Sequence, residues 1–77
     1  MFTIKGNICG KRIRLGRAMQ NPSMTQEDLA VKLQLLGLNM TTLTISRIEK
    51  NTRHVCDAEL KAVARILNVS LDWLVEE

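Results

Sequence analysis

Apolar residues in this chain recur at intervals of three and four, in short runs, and no run alternates as a strand would. The clearest run is Leu60, Val63, Ala64 and Leu67, which lie on one stripe of a helix over residues 57–67. Five such segments are predicted. The first covers residues 8–20, with Asn7 as its cap, an inward stripe of Cys9, Ile13 and Gly16, and Asn21-Pro22-Ser23 as the break. The second follows Thr25, where a capping hydroxyl precedes the acids Glu27 and Asp28, a first turn that suits the helix dipole. Its buried face is Leu29, Ala30, Leu33 and Leu36, and Gly37 ends it. The third follows Thr41, with Met40 stapling back onto the helix, Ile45 and Ile48 facing in, and Asn51 able to take the left-handed conformation that closes a helix. The fourth is capped by either Cys56 or Asp57, and in the fifth Ser70 caps residues 71–75. The expected fold class is all-α, a compact bundle of five short helices.

At 77 residues the chain reads as one domain, 1–77, with residues 1–7 as a candidate flexible arm. A core this small is thin, and such domains often need a staple or an oligomeric partner. Hydrophobic residues make up 45% of the chain, too many for disorder. Charge is unevenly placed. Lys5, Lys11, Arg12, Arg14 and Arg17 with no acid give residues 1–24 a charge of +5, whereas residues 49–77 hold four bases against six acids. A basic front half suits a polyanion, although a solvated basic helix face would give the same count. With one Trp, one Phe and no Tyr, the chain lacks the aromatic platform that single-stranded nucleic acid stacks upon.

Cys9 and Cys56 are too few for a disulfide framework, and with His54 too sparse for zinc, so neither metal nor cofactor is expected. Nothing approaches the roughly 18 consecutive apolar residues of a membrane span, and no signal peptide is evident, so a cytoplasmic location is expected. His54 and Cys56 have no third group to orient them as a catalytic pair, and no glycine-rich phosphate loop or small-molecule site is evident, so the chain is not expected to be an enzyme.

The third helix, from Thr42 to Lys50, carries the functional expectation. If Ile45 and Ile48 face the core, Thr42, Leu43, Ser46 and Arg47 form its outer face. Arginine can grip guanine through two hydrogen bonds, Ser and Thr donate or accept, and Leu can cover a thymine methyl. The amides at the helix N-terminus favour phosphate. An exposed polar helix face needs no partner, so periodicity alone does not decide.

Two motifs, Thr25-Gln26-Glu27-Asp28-Leu29-Ala30 and Thr44-Ile45-Ser46-Arg47-Ile48-Glu49, resemble the Xre family of helix-turn-helix domains, the phage repressor and Cro type. Gly10-Lys11-Arg12-Ile13-Arg14 and the segment from Leu67 to Leu74 are similar to that family's first and last helices. The resemblance implies a lambda-repressor-like fold and a sequence-specific regulator of double-stranded DNA, a repressor, working as a homodimer. It places base contacts at Thr42, Leu43, Ser46 and Arg47, and DNA-backbone contacts at Gln26 and Arg53; Thr41 and Lys50, at the two ends of the third helix, are expected to contact the backbone as well. Departures are a longer link between helices two and three near residues 34–38, an extended link around Pro22, Gly16 in place of leucine, and Asn51 in place of glycine. Trp73, Leu71 and Val75 are either a dimer seam or residues that close the core. The alternative function is a protein-interaction module of the same fold, such as an antitoxin or a regulator's partner.

One structural ion pair is also expected. Arg12 shares the stripe of Cys9, Ile13 and Gly16, and Glu49 lies beside Ile45 and Ile48. An isolated buried ion is costly, so opposite charges on two inward stripes should meet unless each snorkels to solvent. The resemblance points the same way, since the family's arginine early in helix one commonly pairs with the glutamate that ends the recognition helix.

Overall fold

A computed structural model describes residues 8–76. They form α1 (Gly10–Ala18), α2 (Gln26–Leu35), α3 (Thr42–Glu49), α4 (Asp57–Leu67) and α5 (Leu71–Val75), with no strand among the described residues. The expected all-α bundle of five short helices is therefore what the chain adopts. α2 packs on α3 and α4, while α1 lies across α3, α4 and α5. Ile13, Leu29, Leu33, Met40, Ile45, Ile48, Val63, Leu67 and Leu74 meet at the centre, each nearly inaccessible to solvent.

The helix starts follow local chemistry. The Thr25 hydroxyl accepts the Asp28 N–H at 3.0 Å, and the Asp28 carboxylate accepts the Thr25 N–H at 3.1 Å, a reciprocal box that opens α2. These bonds hold the Asp28 carboxyl below its ordinary range. Thr41 and Ser70 cap α3 and α5 as expected. Cys56 is the cap of α4, and its N–H donates to Glu59 at 3.1 Å. α1 is shorter than expected. The cap expected at Asn7 lies outside the described residues, as does the expected arm at 1–7, and Cys9 occupies the position before the helix without a capping bond.

Three helices end in one way. After α2, the Leu38 N–H donates to the Leu33 carbonyl and the Gly37 N–H to the Gln34 carbonyl, with Gly37 at φ 89°. Asn51 (φ 64°) closes α3 and Asn68 (φ 57°) closes α4 with equivalent bonds, to Arg47 and Ile48 and to Ala64 and Arg65 respectively. This left-handed closure satisfies carbonyls that the helix would otherwise leave unpaired.

The closure at Gly37 corrects one core expectation. Leu36 is exposed, because α2 has already run past the layer it packs on. Leu38, swung back by the turn, packs against the core instead. The long link to α3 is pinned at both ends: Gln34 Nε2 donates to the Met40 carbonyl at 2.7 Å, and the Met40 side chain is buried. Gly16 also has a packing reason. A Cβ there would stand 2.8 Å from Leu67 Cδ1 and 3.6 Å from the Trp73 ring, so those two side chains fill the space a larger residue would take. Trp73 is thus half-buried against α1, while Leu71 stays exposed.

Candidate nucleic-acid interface

α3 buries Ile45 and Ile48 and turns Thr42, Leu43 and Arg47 to solvent, with Leu43 58% exposed. Ser46 is half-buried at the edge of that face, and Lys50 is exposed just beyond the last turn. The structure therefore brings Thr42, Leu43, Ser46 and Arg47 to one side of one helix, as its periodicity requires. The Thr41 hydroxyl is engaged in the cap, accepting the Thr44 N–H at 3.2 Å and lying 3.0 Å from the Thr44 hydroxyl. At the other end, the Arg47 carbonyl accepts both the Thr52 N–H and the Thr52 hydroxyl, at 2.9 and 3.1 Å. Both ends of the helix are thereby fixed.

Behind the outer face, Glu49 is the hub of a polar network. Arg17 donates through Nε to Glu49 Oε2 at 2.6 Å and through Nη2 to Oε1 at 2.7 Å. The side chains are only 13% and 5% exposed. Arg17 Nη1 also donates to the Met24 carbonyl at 2.8 Å, and the Met24 N–H returns a bond to the Arg17 carbonyl at 3.0 Å. Gln26 Nε2 completes the set, donating to Glu49 Oε1 at 3.1 Å. One carboxylate thus ties α1, the start of α2 and the end of α3 together.

This network corrects the expected Arg12–Glu49 pair. The partner of Glu49 is Arg17, four residues beyond Ile13 and so on the same inward stripe, at the end of α1 that crosses α3. Arg12 lies more than a turn earlier, where α1 crosses α5. Its guanidinium stands 4.9 Å above the Trp73 ring, and an outer contact of 4.0 Å reaches Glu76. The helix stripe held two arginines, and only the crossing geometry chooses between them.

Gln26, Ser46 and Lys50 line a cleft with Arg14, Arg17 and Glu49. Arg14 is a residue that the sequence reading counted only as charge. Its signal was its place one residue after Ile13, on the flank of the inward stripe. Among the described residues no carboxylate pairs with Arg14, Arg47 or Lys50, so three cations border the outer face of α3 unneutralised. Arg53 sits differently. Its guanidinium forks onto Glu59, with both bonds at 3.1 Å, and also reaches the His54 carbonyl. That pairing raises the Arg53 pKa and, with the Cys56 N–H, lowers that of Glu59. Among the described residues no group of His, Cys, Asp or Glu could hold a metal ion, and no helix is long and apolar enough to cross a membrane.

α2 and α3, packed together, form a helix-turn-helix unit, with the part-buried polar clamp behind an exposed, cation-bordered α3. A helix-turn-helix family model matches residues 15–74, and the chain belongs to that family, the Xre type of phage repressors and Cro, with the lambda-repressor-like fold. Membership makes it a DNA-binding helix-turn-helix regulator. No curated protein and no solved structure matches the chain.

Proposed function

We propose that this protein is a cytoplasmic, sequence-specific repressor that lays α3 in the major groove of duplex DNA. Thr42, Leu43, Ser46 and Arg47 read base edges, and Thr41, Gln26, Lys50 and Arg53 face the sugar-phosphate backbone. The observation that carries this reading is the contrast across α3. Its inner side is locked by Arg17 and Gln26 onto Glu49, whereas on its outer side no acid among the described residues pairs with Arg47. A cation carried on a firmly held helix and left open to solvent is what a guanine edge requires. Thr41, already engaged in the cap, and Gln26, already on Glu49, contribute chiefly through their places beside helix N-termini, where amides favour phosphate. Arg53 brings a guanidinium shared with Glu59, so its substitution costs stability as well as affinity.

The protein acts as a homodimer on an inverted repeat, which doubles a reading surface too small for high specificity alone. Selection of binding sites from random duplex DNA tests the reading. It should return a palindrome, and Arg47→Ala should relax the preference at one position of each half-site. Recovery of no enriched sequence, or of a site that Arg47→Ala reads unchanged, contradicts it.

A further inference from the structure

Apolar side chains stand exposed on several helices of the described residues; Leu43 on α3 lies on the proposed reading face and Leu71 is single on α5, which leaves α1 and α2. On α1 they are Leu15 and Met19, flanked by Lys11 and Arg14 with no acid in that helix. Two copies meeting there would bring cation against cation. α2 differs. Leu29, Ala30 and Leu33 are buried, yet Val31 and Leu35 lie on the opposite side, Leu35 being 81% exposed. A helix with apolar residues on both sides is normally covered on both. Beside Val31 and Leu35, the 20–24 connection folds back to leave a groove of about 540 Å³, with Pro22 and Met24 in its lining. The charges on this face are ordered: Glu27 and Asp28 stand toward the N-terminus of α2, and Lys32 toward its C-terminus.

We infer that the outer face of α2 binds a second copy of this chain, antiparallel, with Leu35 of each copy in the Pro22–Met24–Val31 groove of the other. In that arrangement Lys32 of one copy lies opposite Glu27 and Asp28 of the other. The charges of a twofold contact complement one another only when one patch carries both signs, as α2 does and α1 does not. The contact leaves α3 uncovered, since Thr42, Leu43, Ser46 and Arg47 belong to a different helix. It stands apart from the DNA reading and needs no DNA to form. The contact rests on one face of a ten-residue helix and its groove, so association is weak and concentration-dependent.

Sedimentation velocity of the full chain without DNA, from micromolar to millimolar, tests this, with thermal melts confirming that each variant is folded. The wild type should shift from monomer to dimer as concentration rises. Leu35→Glu should weaken the dimer about tenfold or more, and so should Lys32→Glu and Glu27→Lys singly. The double variant Glu27→Lys with Lys32→Glu should regain part of it, because Asp28 stays acidic. A wild type that stays monomeric throughout overturns the inference. A dimer that survives Leu35→Glu but is lost in Leu15→Glu or Leu71→Glu overturns it as well, and so does failure of the charge swap to rescue.

Discussion

Glu49 links the stability of the fold to the helix proposed to read DNA. Its carboxylate is nearly inaccessible, accepts three hydrogen bonds from Arg17 and Gln26, and lies in the last turn of the helix that carries Arg47. Removing one member of a buried pair leaves the other uncompensated, so Arg17→Ala or Glu49→Ala should each lower the free energy of unfolding by about 3–5 kcal/mol in denaturant titrations. Replacing both with apolar residues of matched volume should cost much less. Arg12→Ala should fall well short of either single variant, since it loses only partly exposed contacts with Trp73 and Glu76. The sequence made a buried Glu49 legible and misassigned its partner, because Arg12 and Arg17 flank the same stripe and only the crossing of α1 over α3 separates them. A second residue-scale expectation concerns pH. Glu59 has its pKa lowered, chiefly by the Arg53 hydrogen bond and further by the Cys56 N–H. A carboxyl depressed by folding stabilises the fold above its unfolded pKa and loses that contribution as pH falls through the folded value. Thermal melts from neutral pH into the acid range should therefore fall more steeply for the wild type than for Glu59→Gln, which is already weaker at neutral pH. Parallel slopes contradict the pairing.

Among the elements, the helix starts and stops were the most legible features. A hydroxyl at Thr25, Thr41 or Ser70 satisfies amides one turn on, and Gly37 or Asn51 tolerates the left-handed turn, so both signals are local. The α2–α3 link was not legible, because its path depends on where Leu38 and Met40 find room in the core. Leu36 illustrates the limit, since extending the stripe by seven residues from Leu29 ignores that the packed layer stops first. The turn itself gives a clean test. Gly37 has nothing within 4 Å of a Cβ, so Gly37→Ala meets only backbone strain at φ 89°. It should cost about 1–2 kcal/mol. Gly37→Asn, a residue that visits this region more readily, should cost less. Equal stability of all three in urea titrations would mean that the left-handed closure does not set the link. Gly16→Leu, by contrast, should destabilise through overpacking, by about 1–3 kcal/mol, with Trp73 fluorescence reporting its displacement from α1.

For the whole molecule, the basic front half and the cations around α3 make attraction to DNA an electrostatic matter. Affinity for any duplex should fall steeply with salt, since each neutralised phosphate releases counterion. A homodimer on an inverted repeat should show half-site centres about 34 Å apart or a multiple of that. Footprints of one copy on a non-palindromic site contradict the dimer. The domain's architecture was legible because every level agreed: helical period, caps, and two ordered motifs all pointed to one fold. What the sequence could not supply was which charges neutralise one another. That assignment separates Arg17 and Arg53, which have carboxylate partners, from Arg14, Arg47 and Lys50, which have none among the described residues. The most direct measurement of the central claim is therefore a comparison of wild type and Arg47→Ala on the selected operator and on scrambled duplex, at one salt concentration. If α3 reads bases through Arg47, the variant should lose roughly 10- to 100-fold in affinity on the operator, equivalent to about 1–3 kcal/mol, and little on scrambled DNA. Equal losses on both duplexes, or no loss on the operator, would contradict it.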